Sequence, residues 1–166
     1  MDDKELFKSV SAIWGDEHKS EAECAERIYD FMQLLKAHNP ELFGQWYEQA
    51  MSLKDALERK VETTQEYFYK KVEKNWDKKF PDLGSRVALW TGNKKDGYSA
   101  EVSFSLGKHP NNPNLKNSCV VRLPRKGEWA EYYSKSKNRI SLMHLMRDFW
   151  TPNYLLVNGE QIEEIV

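Results

Sequence analysis

This chain predicts an α+β fold: a single domain with an antiparallel sheet and helices packed mainly on one face. Three observations lead there. Residues 83–124 read as strand, Asp-Gly turn, strand, polar loop and strand in quick succession, with a two-residue alternation. The stretches before and after carry apolar residues at three- and four-residue spacing, so helices flank the strands instead of alternating with them. The chain has 166 residues, 40% of them hydrophobic, with six Trp, eight Tyr and seven Phe, which suffices for one core. No internal repeat, linker or low-complexity tract divides it, so the domain is expected to span 1–166.

A first strand is expected to end at Trp14-Gly15, with Leu6, Lys8, Val10, Ala12 and Trp14 on one face and Phe7 and Ile13 on the other. The first helix is marked by Ser20 as N-cap and Glu23 three residues on, a capping box. Ala22, Ala25, Ile28, Tyr29, Met32 and Leu35 follow in helical phase, and His38-Asn39-Pro40 ends it because the residue before proline avoids the helical region. A second helix is predicted over 41–51 from Leu42, Trp46 and Ala50. A short turn opens at Ser52, with Asp55 placed for a cap. Phe68, Val72 and Trp76 set a further helix over 64–76.

The sheet segment follows, with a strand over 85–90, a lysine-rich loop over 92–97 and a strand over 98–106. In that second strand Tyr98, Ala100, Val102, Phe104 and Leu106 point to the core, and Ser99, Glu101, Ser103 and Ser105 to water. A loop rich in Asn and Pro spans 107–117, and a third strand over 119–123 stops at Pro124. Leu142, Leu145, Met146 and Phe149 mark a last helix over 141–149. Thr151-Pro152 breaks it, and 154–157 is read as a closing strand.

The formal net charge of −1 gives no global pull toward nucleic acid or anionic membrane. Its distribution is uneven: residues 1–30 hold nine acids against four bases, and 85–166 hold twelve Lys/Arg against eight Asp/Glu. Cys24 and Cys119 lie far apart in apolar segments and read as buried free thiols. The opening MDDKELFKSV lacks the basic-then-apolar pattern of a signal peptide, and no apolar run reaches the ~18 residues that span a bilayer. A soluble, cytoplasmic protein without membrane contact is expected.

The chemistry-bearing residues form no catalytic set. His18, His38, His109 and His144 fall on different elements with no ligand spacing, so neither metal nor cofactor is expected. There is no Gly-x-Ser-x-Gly and no glycine-rich phosphate loop, and mid-helix Cys24 and mid-strand Cys119 are poor places for an activated thiol. Glu101, on the wet face of the central strand, is the best-placed acid for catalysis. Lys70, Lys71, Lys74, Lys78 and Lys79 interleave with aromatics, a pattern that nucleic-acid binders use. The single Phe68–Val72–Trp76 stripe and the diluting Glu66, Glu73 and Asp77 instead favour an ordinary amphipathic helix, so no direct nucleic-acid contact is expected.

A set of landmarks in fixed order then gives a family likeness. Trp14-Gly15 is followed by Glu21, Cys24-Ala25 and Ile28, then Asn39-Pro40, Phe43 and Trp46, then Ser52 with Asp55-Ala56-Leu57. Further on come Leu83-Gly84, Trp90-Thr91-Gly92, Gly107, and Asn117 leading through Val120 and Val121 to Leu123-Pro124. Phe149-Trp150, Pro152 and Tyr154 close the series. In these the chain resembles the Immunity protein 52 family of bacterial polymorphic-toxin and type VI secretion systems. It departs from the family pattern at Asp16-Glu17 and in the long, proline-rich loop 107–117.

The resemblance implies a non-enzymatic inhibitor that binds one cognate toxin effector, a nuclease of restriction-endonuclease-like fold; the mechanism expected on that basis is stoichiometric occlusion of its active site or substrate channel. Asp16, Glu17, Glu21 and Glu101 are the expected partner contacts, chosen for charge and expected exposure. Trp14 and Trp90 are read as structural. A homodimer through a free strand edge is compatible with the pattern. The rival expectation is a small enzyme with its site on the wet face of the sheet.

Overall fold

The computed structural model describes residues 5–109 and 114–166. Its elements run β1 (Ser9–Trp14), α1 (Glu21–His38), α2 (Pro40–Phe43), β2 (Trp46–Tyr47), α3 (Leu53–Leu57), β3 (Lys60–Val61), α4 (Gln65–Asn75) and β4 (Ser85–Trp90). They continue through β5 (Glu101–Leu106), β6 (Asn117–Arg122), α5 (Glu128–Ser134), α6 (Ser136–Trp150), β7 (Tyr154–Val157) and β8 (Glu160–Ile162). Among the described residues these strands form one antiparallel sheet in the order β3-β2-β4-β5-β6-β1-β7-β8. The predicted α+β class holds.

Alternation along the strands decides the layers. Val10 lies opposite Val121 and Val157, Ala12 opposite Cys119 and Leu155, and Phe104 opposite Cys119, so all of these project to one side. All are buried. Helices α1, α4 and α6 cover that side. The centre is aromatic: Phe31 of α1 meets Phe104 of β5 at 6.0 Å and Trp150 of α6 at 5.2 Å, and Trp14 stacks on Trp150 at 5.0 Å. Fully burying one such side chain stabilises by about 1.5–3 kcal/mol, so this junction ties sheet and helices into one core.

The caps read from sequence are present. Ser20 accepts from the Glu23 N–H while the Glu23 carboxylate accepts from the Ser20 N–H. Asn39 ends α1 and caps α2, and Ser52 and Thr64 cap α3 and α4. Within α1 the buried positions are Cys24, Ala25, Ile28, Phe31, Met32 and Leu35, whereas Ala22, placed in the apolar phase by sequence, is exposed.

The predicted helix over 41–51 is wrong beyond Phe43. The helix stops at Gly44, the indole N–H of Trp46 donates to the Phe43 carbonyl at 2.9 Å, and Trp46 and Tyr47 pair with Val61, Lys60 and Trp90. Leu42 and Trp46 are both buried, but from two different elements. The last helix is longer than expected and is preceded by α5. Neither α5 nor α6 has a side-chain N-cap, so neither start carried a signal.

Two landmarks of the family pattern are architectural. Gly84 sits at φ +66°, and a Cβ there would lie 2.0 Å from the Leu106 carbonyl oxygen, so only glycine fits. Asn117, fully buried, donates to the carbonyls of Gly15 at 2.7 Å and Lys108 at 3.0 Å and accepts from the Lys108 N–H at 2.8 Å. It fastens the end of β1 to the β5–β6 connection.

Candidate partner-binding surface

The face of the sheet opposite the helices is open. Its rows follow from the register: Tyr47, Trp90, Glu101, Arg122 and Ser9 in one; Ala88, Ser103, Val120, Ser11 and Leu156 in the next; Arg86, Ser105, Ser118, Ile13 and Tyr154 in a third. Small residues dominate the middle, so the backbone lies close beneath the surface. Arg86, Ala88 and Arg122 are exposed, and Ser103, Val120, Ile13 and Leu156 half-buried. Ser105 was expected on the wet side; it projects there yet is only 7% exposed. A serine set between Arg86 and Ser118 is too short to reach past its neighbours.

At one end of this face Trp90, Glu101, Arg122 and Ser9 of the first row line a cleft of about 600 Å³, together with the turn of residues 93–97 and Leu53 of α3. Lys8, Lys94, Lys95, Arg122 and Arg125 line it, against Asp96 and Glu101. Glu101 lies 4.0 Å from Arg122, and Asp96 3.9 Å from Arg125. Trp90 is half-exposed here, its indole N–H held by the Glu48 carbonyl at 3.2 Å. That bond and its place in β4 fit the structural reading, and part of its surface also lines the cleft. Trp14, in contrast, is core.

The four acids expected to meet a partner do not share a patch. Asp16 and Glu17 follow the Trp14 end of β1 and Glu21 opens α1, whereas Glu101 sits level with Ser9 at the other end. The six-residue strand between them spans about 17 Å. Asp16 is exposed and Glu21 half-exposed. Glu17 is engaged internally: it accepts from the Trp14 indole, pairs with Arg27 at 2.9 Å and approaches Lys19 at 4.0 Å. Arg27 in turn lies 5.0 Å from the Trp150 ring centroid, so this cluster seals the aromatic core.

Other titratable groups have structural explanations. Burial pushes the Cys24 thiol up to about 12 and the Cys119 thiol well above its ordinary value, so both stay protonated and unreactive. Burial lowers the pKa of His38, whose Nε2 lies 3.0 Å from the Tyr133 hydroxyl. Folding brings His18 against His109, ring centroids 4.1 Å apart, a contact invisible in the sequence. Among the described residues no group of three His, Cys, Asp or Glu could hold a metal ion. Nor is any helix among them long and apolar enough to cross a membrane. On the lysine-rich helix Phe68 and Val72 are buried, and Lys70 and Lys71 pair with Glu66 and Glu48.

Among curated proteins, none matches the chain. The chain matches the Immunity protein 52 family over residues 8–166, from just before β1 onward. Nearly the whole fold is thus included, open sheet face and cleft alike, and the chain belongs to the Immunity protein 52 family.

Proposed function

We propose that this protein is the cytoplasmic inhibitor of one cognate toxin effector of a polymorphic-toxin or type VI secretion system, a nuclease of restriction-endonuclease-like fold, and acts by stoichiometric occlusion of its active site or substrate channel. Membership of a family of immunity proteins supports the class. The observation that carries a binding role is the uncovered sheet face: one wall of the core is finished by helices, and the other presents ordered strands to a partner.

Acidic residues at the β1–α1 connection steer the encounter in this reading. Asp16 and Glu21 are the accessible members, since Glu17 is held by Arg27. Glu101 belongs to a separate contact at the cleft. A homodimer through strand pairing has little to work with, because the edge strands β3 and β8 have two and three residues.

Co-expression with the toxin encoded by the adjoining gene tests the reading. A stable equimolar complex and loss of nuclease activity are expected. For steering, Asp16→Lys with Glu21→Gln should slow association at low salt and converge with the wild type at high salt. Unchanged association at both salt concentrations would refute steering by this end.

A further inference from the structure

Resting on that toxin-binding reading, we propose that the cleft beside Trp90 is the anchoring site and that it takes an acidic segment of the toxin. Charge is the first argument. The cleft's carboxylates, Asp96 and Glu101, each have an arginine beside them, at 3.9 and 4.0 Å. Lys8 and Lys94 have no carboxylate within ion-pairing distance among the described residues, and Lys95 lies over the Tyr98 ring at 5.4 Å. The cleft is therefore a local excess of cation on a chain whose net charge is −1.

Its walls are the second argument. Trp90 is fixed by its bond to the Glu48 carbonyl, so its half-exposed ring is a preorganised apolar surface. Leu53, which lines the cleft together with Trp90, is 51% exposed, and the neighbouring Met51 is fully exposed. Cations around fixed aromatic and aliphatic walls suit a peptide that carries carboxylates among apolar side chains. The volume of about 600 Å³ falls among sites that bury a ligand, typically ~300–1,000 Å³. A nucleic-acid backbone, which carries a charge at every nucleotide and needs a continuous run of cations, fits less well in a lining interrupted by Asp96 and Glu101.

The acidic end of the molecule and this cleft are separated by the length of β1, so variants can address them independently. The experiment measures toxin affinity by calorimetry for the wild type, Lys94→Glu/Lys95→Glu, Leu53→Asp and Asp16→Lys/Glu21→Gln, at 50 and 500 mM salt. Circular dichroism melts serve as the control for folding. The lysine reversal should weaken binding on the order of tenfold or more at low salt and less at high salt, with the melt unchanged. Leu53→Asp should weaken it at both salt concentrations.

Wild-type affinity in both cleft variants would overturn the cleft while leaving the inhibitor reading intact. A wild type that does not bind the toxin would take down both. A single-stranded 20-nucleotide DNA probe that binds the wild type, and is lost in Lys94→Glu/Lys95→Glu, would also overturn the proposal and assign the patch to nucleic acid.

Discussion

Three polar side chains show how single residues act in this fold. Asn117 joins three backbone groups across loops that the sheet alone would leave unconnected. His38 and Asn39 both reach the Tyr133 hydroxyl, at 3.0 and 3.2 Å, and so tie the end of α1 to α5. Burial lowers the His38 pKa, so the folded state favours the neutral ring while the unfolded chain protonates near its ordinary pH of about 6.5. The unfolded state then binds more protons below that pH. The His38 contribution is accordingly complete above pH ~6.5 and is lost as pH falls toward the lowered folded value. Urea midpoints measured from pH 8 to pH 5 should fall for the wild type and fall less steeply for His38→Gln. Identical slopes would show that His38 does not carry the effect.

At the scale of elements, what was legible depended on whether the stop and start signals were local. Ser20 with Glu23 and Ser52 with Asp55 are side-chain caps that act within four residues and sit where the pattern puts them, Asn39-Pro40 ends α1 as read, and Thr64, the predicted start of α4, caps it. Ser20→Ala should cost about 1 kcal/mol and lower the melting temperature by about 2–4 °C. An unchanged melt would mean that α1 is held by packing alone. The helices without caps, α5 and α6, began unannounced at Glu128 and Ser136. The error over 41–51 has the same origin: Leu42 and Trp46 keep helical spacing, while the pairing that makes Trp46–Tyr47 a strand comes from Val61 and Trp90.

For the whole molecule, the asymmetry between the two sheet faces is the governing fact. Helices finish one face, and the sheet ends in two short edges that blunt strand addition, so the proposed toxin contact is assigned to the open face with its cleft. This asymmetry has a stability signature. Ala88→Lys with Ser103→Lys should leave the melting temperature within about 2 °C of the wild type, since Ala88 is exposed and Ser103 half-buried on the open face. Phe104→Ala, on the covered face of the same strand as Ser103, should cost about 3–5 kcal/mol. A large fall in the Lys variant would reveal a covering layer and remove the open face as a docking surface.

The sequence by itself determined the α+β class, the strand at 85–90 and the body of the next one (read as 98–106, found as Glu101–Leu106), the capped helices, the two inert thiols and the family, through the order of its Trp, Gly, Asn and Pro landmarks. Those are matters of alternation, caps and short-range spacing. Tertiary structure alone decided which acids lie together, because strand register sets Glu101 and Asp16 at opposite ends of the sheet. It also decided that Glu17 serves the core, that Trp90 borders a cleft, and that scattered lysines and arginines from three segments converge there. Pairing between distant strands sets such neighbourhoods, and no local spacing in the chain encodes it.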